Sequence, residues 1–204
     1  MNKDLFIFEP HNLLVSGITN CGKTHFILDL LETIYENYFT NIILFCPTYD
    51  FNKTYDRDIV SKNKKFIVLN SKAVKNNLDN CIKIAIDIYK GSNTLFIIDD
   101  CANLHDSKIR ESELCYLAFS GRHYNITTWV LTQKYNSIVK DFRDNIRFLV
   151  LFYNKDKKSM KDALEQNNII PVELHDEFIS KLKDNKCSKL LIRLQHPYNY
   201  KFVK

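Results

Sequence analysis

Leu13-Leu14-Val15-Ser16-Gly17-Ile18-Thr19-Asn20-Cys21-Gly22-Lys23-Thr24 is an apolar run, a glycine, four residues, and then Gly-Lys-Thr. That is the GxxxxGK[ST] spacing of a phosphate-binding P-loop. Gly17 lets the chain turn sharply out of a strand, and Gly22 lets backbone approach a phosphate closely. The amides of Ile18, Thr19, Asn20 and Cys21, with the N-terminus of the helix that follows, supply partial positive charge. Lys23 is expected to reach the β- and γ-phosphates of ATP, and the Thr24 hydroxyl to sit on Mg²⁺. The chain has only four glycines and two stand at these positions, which argues against a turn that merely needs glycine. His25-Phe26-Ile27-Leu28-Asp29-Leu30-Leu31 continues as a helix, expected to end near Tyr38.

The rest of the composition sets the frame. With 204 residues, 45% hydrophobic and 26% charged, the chain fits one soluble domain with a full core. It reads as a single P-loop domain over residues 1–204. Its core spans about 10–155, and basic helices with an edge strand fill about 156–204. No apolar run approaches the roughly 20 residues that cross a bilayer. The N-terminal apolar stretch is too short for a signal peptide. No membrane association is expected and, with about a dozen residues before the P-loop, neither is an N-terminal barrel or anchor. Six cysteines lie scattered without a CxxC pair or metal-ligand spacing, as reduced thiols of an intracellular protein. Cys21 reads first as a small loop residue. The alternative is a thiol activated by the helix N-terminus. Net charge is +5 but uneven: residues 134–204 carry 15 Lys and Arg against 9 Asp and Glu, leaving 14 against 15 before them. That basic third suits a polyanion such as nucleic acid, and equally a solvated lysine-rich surface.

Outward from the P-loop, strands alternate with helices, which predicts a mainly parallel sheet with helices on both faces. Strands are expected at 12–16, 41–47, 66–70, 94–100, 126–133 and 146–153, with 188–194 as the closing edge strand. Helices are expected at 71–90 (one or two), 107–120, 136–145, 155–167 and 171–183. Pro171 stands at the favoured first-turn position of the last. Residues 48–65, where aromatic and basic side chains interleave, read mostly as loop. Thr94-Leu95-Phe96-Ile97-Ile98-Asp99-Asp100 is an apolar strand tipped by carboxylates, the Walker B pattern. Asp99 can hold Mg²⁺ through its water shell, and Asp100 can polarise an attacking water as general base. Without a P-loop upstream, the two acids would pass for solubility residues or a helix cap. Ile126 to Gln133 forms another strand, and Gln133 at its tip can orient water and phosphate, unless Thr132 and Gln133 simply begin a loop. His11, His105, His175 and His196 stand alone in sequence and read as surface or capping groups.

P-loop, Ile97-Ile98-Asp99-Asp100 strand, Gly121-Arg122-His123-Tyr124 turn and Leu131-Thr132-Gln133 strand tip follow one another in that order. This combination resembles the FtsK/HerA superfamily of nucleic-acid-pumping ATPases. It is most similar to the genome-packaging ATPases of large DNA viruses, virophages and related mobile elements, over residues 10–155. The resemblance implies a RecA-like (ASCE) core in a homo-oligomeric ring, pentamer or hexamer, with nucleotide between subunits. An arginine of one subunit would then reach its neighbour's γ-phosphate. Arg122 is the candidate, with Arg143 and Arg147 behind it. The other reading of Arg122 is a surface arginine capping the preceding helix. ATP, Mg²⁺, double-stranded DNA and capsid proteins are the implied cofactors and partners. The implied location is the cytoplasm of an infected cell, a viral factory or the virion.

One position departs from the pattern: the family's general base is commonly glutamate, and here it is Asp100, one methylene shorter. The DNA-touching loop is expected in residues 48–65 or 101–110, the first because it mixes aromatic and basic side chains. The leading expectation is an ATP-driven translocase that packages a viral genome. The alternatives are a small P-loop nucleoside or metabolite kinase and a nucleotide-dependent assembly scaffold. Such kinases usually carry an arginine-rich lid late in the chain, where lysines stand here.

Overall fold

Continuous apolar runs mark strands that are covered on both faces, and four such runs make the centre of the molecule. A computed structural model describes residues 6–74, 77–101 and 107–203. Every residue of β1 (Asn12–Ser16), β4 (Thr94–Asp99), β5 (Ile126–Thr132) and β6 (Phe148–Phe152) is buried. With β2 (Asn41–Phe45), β3 (Phe66–Leu69), β7 (Lys189–Arg193) and β8 (Asn199–Val203) they form an eight-stranded sheet in the order β3-β2-β4-β5-β1-β6-β7-β8. The first six are parallel; β7 pairs antiparallel with β6, and β8 antiparallel with β7.

Strand side chains alternate between two cores, as a period of two requires. Leu13, Val15, Ile42, Leu44, Leu95, Ile97, Trp129 and Val150 face α1 (Lys23–Thr33). Leu14, Ile43, Phe45, Phe96, Ile98, Val130 and Leu149 face the other way. There they meet buried residues of α4 (Leu78–Tyr89), α5 (Ser107–Ser120), α7 (Lys157–Asn167) and α8 (His175–Asp184). The expected mainly parallel sheet with helices on both faces is what forms. Among the described residues, no helix is long and apolar enough to cross a membrane.

Where the structure departs from expectation, tertiary contacts are the reason. The strand at 188–194 does not close the sheet. β8 pairs outside it, and its Tyr200 and Phe202 pack on Phe178 of α8 at ring separations of 5.6 and 5.1 Å. Helix α1 ends at Thr33 rather than near Tyr38. The amides of Ile34 and Tyr35 both bond to the Leu30 carbonyl, and Asn37 is left-handed (φ 56°). This break lets Tyr35 and Phe39 pack against Trp129. Of 136–145, only α6 (Lys140–Asp144) is α-helical, because the Ser137 hydroxyl turns back to the Lys134 carbonyl. Pro171 opens a 3₁₀ turn, Val172–Leu174, and α8 starts only at His175. Residues 48–65 hold two 3₁₀ turns, Tyr49–Phe51 and Lys53–Tyr55, and α2 (Asp58–Ser61). Residues 71–90 split into α3 (Ser71–Val74) and α4.

Two of the histidines expected as surface or capping groups are buried. The His175 ring reaches the Ile170 carbonyl at 3.0 Å. His11 accepts from the Trp129 indole N–H (3.2 Å) and donates from Nδ1 to the Glu9 carbonyl (2.8 Å). Burial pushes its pKa down to about 4, so the ring is neutral. His105 lies outside the described residues.

Candidate active site

Six parallel strands bring their C-terminal tips to one rim, where ligands of open α/β sheets bind. The register pairs Ser16 with Thr132 and Asp99 with Leu131. Gly17, Asp100 and Gln133, each following its strand, therefore meet. A cleft of about 530 Å³ opens at this rim. Its walls include Thr19, Asn20, Gly22, Lys23 and Thr24 of the P-loop, Asp99 and Asp100 of β4, and Thr132 and Gln133 of β5. Predicted site residues from three separate stretches of sequence are brought together, and the fourth stretch, Gly121 to Tyr124, is not among them.

Each loop residue has a local reason for its place. A β-carbon on Gly17 would stand 2.5 Å from Phe152 Cβ and 2.8 Å from Cys21 Sγ. Gly17 is thus demanded by its close approach to β6. Gly22 caps α1 with φ 103°, a conformation L-residues rarely adopt. Asn20 is also left-handed (φ 60°), and these turns keep the loop wrapped before the helix N-terminus. Lys23 Nζ donates to the Gly17 and Ile18 carbonyls at 2.8 and 3.0 Å, which holds its charge at the mouth of the loop. Cys21 is buried, and burial pushes its thiol pKa up against the pull of Lys23, which favours the small-residue reading over a reactive thiol.

The carboxylates divide sharply. Asp99 is about 4% exposed. Its Oδ2 accepts from the Tyr55 hydroxyl at 2.6 Å and from the Thr24 hydroxyl at 3.2 Å. Burial raises its pKa, while the Tyr55 hydrogen bond and the Lys23 charge oppose that rise. Tyr55, buried beside this acid, has its own pKa pushed well up and keeps its proton to donate. The Thr24 hydroxyl donates its proton to Asp99, so its oxygen lone pairs are left for a cation. A hard oxygen donor, a carboxylate and an open cleft for phosphates fit Mg²⁺, which prefers few protein ligands with phosphate and water. Asp100, half-buried, turns away in a left-handed conformation (φ 56°). Strain of this kind concentrates at functional sites. Gln133 Nε2 donates to Asp100 Oδ1 at 3.5 Å, and Asn154 beyond β6 donates to the Gln133 carbonyl at 2.6 Å.

The arginines stand elsewhere. Arg122 lies in the turn Gly121–Tyr124 just before β5, at the opposite rim of the sheet, and is exposed. The seven residues of β5 put it roughly 20 Å from its own chain's cleft. Arg147 precedes β6 at that same far rim and pairs with Glu9 at 3.2 Å. Arg143 stacks on Tyr135 at 4.8 Å and donates to Gln166 and Asn136. Of the two loops expected to touch DNA, residues 48–65 supply one cleft wall through Thr48, Phe51, Asn52 and Thr54. In the other, 102–106 lie outside the described residues.

Sequence reasoning missed Tyr55, Asn154 and Cys187 in this region. Tyr55 sits 44 residues from the acid it touches, and Cys187 reaches the cleft from the turn before β7. Neither carries a local pattern. Asn154 stands two residues past the end of β6, and its place directly after the strand expected at 146–153 was the one available signal.

Comparison with known proteins follows the same outline. The DNA packaging protein OPG160 of variola virus is 28% identical over 170 residues, covering 80% of this chain and 59% of that protein. Its counterpart in vaccinia virus (strain Copenhagen) matches to the same extent. The chain thus spans about three fifths of the length of these relatives. In fold, the chain is similar to the genome packaging NTPase B204 from Sulfolobus turreted icosahedral virus 2, solved in complex with ATP-gammaS. The TM-score is 0.63 at 16% identity, over 100% of this chain and 98% of that one. The P-loop ATPase fold and the motif resemblance agree with these matches. A profile of the Poxvirus A32 protein family spans residues 1–192, and the chain belongs to that family.

Proposed function

We propose that the chain is an ATP-driven double-stranded DNA translocase that packages a viral genome. The observation that carries this is the convergence of Lys23, Thr24, Asp99, Asp100 and Gln133 on one cleft of a sheet with the packaging-ATPase outline. Its relatives' description as DNA packaging proteins supports the choice of substrate. In this reading Gly17 to Thr24 cradle the phosphates and Lys23 neutralises the β- and γ-oxygens. Thr24 and Asp99 would hold Mg²⁺, which when bound would supply charge neutralisation to the phosphates. Asp100 accepts the proton of the attacking water, and Gln133 orients that water.

Asp100 is shorter than the glutamate common at this position. Its left-handed backbone, which re-aims the side chain after the strand ends, offers a way to make up the reach. Arg122 acts across a subunit interface in a homo-oligomeric ring of five or six. Its exposure and its place at the rim away from its own cleft suit a group that serves a neighbour. DNA and capsid proteins are the partners, and the protein works in the infected cell's cytoplasm, the viral factory or the virion.

ATP hydrolysis measured with and without double-stranded DNA, alongside solution mass with nucleotide, tests the proposal. DNA-stimulated turnover by a ring is expected. A monomer that consumes ATP only when given a nucleoside would overturn it in favour of a kinase. Mixing Arg122→Ala with Lys23→Ala subunits tests the shared site, with partial recovery of turnover expected.

A further inference from the structure

Tyr55 is about 1% exposed, and a phenylalanine would fill the same space. Its hydroxyl nevertheless lies 2.6 Å from Asp99 Oδ2. The tyrosine is held from its own side as well. The Asn52 side chain accepts from the Thr54 amide at 3.1 Å, the Tyr55 amide bonds to the Asn52 carbonyl, and the Tyr49 ring packs 5.6 Å away. Thr24, from the opposite wall, donates to the same Oδ2 at 3.2 Å. Among the described residues, no hydrogen bond reaches Oδ1.

A carboxylate's terminal torsion is soft and roughly two-fold, so an unrestrained Asp99 could turn through a range of orientations. Two donors converging on one oxygen remove that freedom. We propose that Tyr55 is a positioning residue: its hydroxyl pins Asp99 through Oδ2 and keeps Oδ1 set for a hydrated divalent cation. The inference rests on the reading of the cleft as a Mg²⁺–nucleotide site. It adds a component from the segment after β2, which none of the nucleotide-binding motifs includes. Outer donors of this kind orient a ligand before the metal arrives, and their loss commonly weakens metal binding 10–100-fold.

Tyr55→Phe keeps the ring and removes the donor. Binding of Mn²⁺ to the protein–ADP complex, followed by electron paramagnetic resonance, is expected to weaken about tenfold. Affinity for a fluorescent ATP analogue in EDTA is expected to match the parent's. In an Asp99→Asn background the same substitution should leave residual Mn²⁺ binding unchanged, because Tyr55 acts only through that carboxylate. Mn²⁺ affinity in Tyr55→Phe within twofold of the parent overturns the proposal. So does an equal loss of nucleotide affinity in EDTA, which would mark a general packing role. If Tyr55→Phe does not fold, the parent carries the test. A slowly exchanging Tyr55 hydroxyl proton should persist in the nuclear magnetic resonance spectrum with Mg²⁺ and ADP, and its disappearance on metal addition overturns the proposal. Asp99→Asn separates the two claims. If it binds Mn²⁺ as tightly as the parent, the reading of the cleft fails. If it loses Mn²⁺ while Tyr55→Phe does not, only the role of Tyr55 fails.

Discussion

Asp99 and His11 are equally buried, each about 4% exposed, yet their surroundings put them to opposite uses. Around Asp99, two hydroxyls and the Lys23 ammonium oppose the burial that disfavours its charge, and the side chain borders an open cleft. Around His11, the Trp129 indole needs a lone pair to donate to, and the Glu9 carbonyl takes the ring's one proton. A protonated ring has no lone pair, so this site works only when neutral. The acid sits at the C-terminal rim of the sheet. The histidine lies at the start of β1, between β5 and the N-terminal arm, and fastens them together. Burial alone therefore does not mark a functional group. What marks it is donors that favour the charged form, placed at the edge of a space a ligand can enter.

The comparison breaks most visibly at Lys23. Lys23→Ala should lower ATP turnover on the order of 10²–10³-fold, as loss of one preorganised donor to developing charge does. Unfolding by urea should change far less, because among the described residues the Lys23 ammonium donates hydrogen bonds only to the Gly17 and Ile18 carbonyls, and its charge opposes only part of the burial cost of Asp99. A variant that unfolds before it loses activity would put the lysine in the structural class with His11.

The second test is acid. The folded pKa of His11 is about 4 against an ordinary 6.5, so between these values the unfolded chain binds a proton that the folded one refuses. Stability contributed by this site is full above about pH 6.5. It falls by about 3 kcal/mol as pH drops to 4. Urea unfolding at pH 7 and pH 4 measures this loss. His11→Gln, which retains an acceptor for the indole, should remove most of the difference, and an unchanged pH dependence in that variant would sink the assignment.

Gly17 ties the two regions together. Gly17→Ala forces a β-carbon within 2.5 Å of Phe152, and overpacking of this kind costs roughly 1–3 kcal/mol. Nucleotide affinity and thermal midpoint should fall together, which calorimetry and a fluorescent nucleotide titration can follow on one sample. The smallest effect is the inverse one. Asp99→Asn relieves the burial of a charge, so the nucleotide-free protein should melt slightly above the parent while turnover collapses. A lower midpoint would mean that the charge itself holds the cleft together.

Much of this site could be read before any coordinates. Gly22, Lys23 and Thr24 announce themselves because the left-handed cap, the helix start and the loop amides are produced by adjacent residues. Asp99 was legible for a related reason: an apolar run that ends in an acid places that acid at a strand tip. The β8 strand was not, since pairing with β7 and packing on Phe178 make a strand of this short, largely exposed sequence. His11 likewise has no local neighbour that foretells Trp129, 118 residues away.

Residues close in sequence thus specified the phosphate loop, the buried runs of the central strands and the acids at the strand tips. These are short-range matters of backbone conformation and side-chain period. The order of the strands, which sets β4 and β5 beside the P-loop, came from packing. So did the meeting of Tyr55 with Asp99, and the rim that Arg122 occupies. Each joins segments whose separation carries no local signature, and each is selected only when the two cores on either side of the sheet close around them.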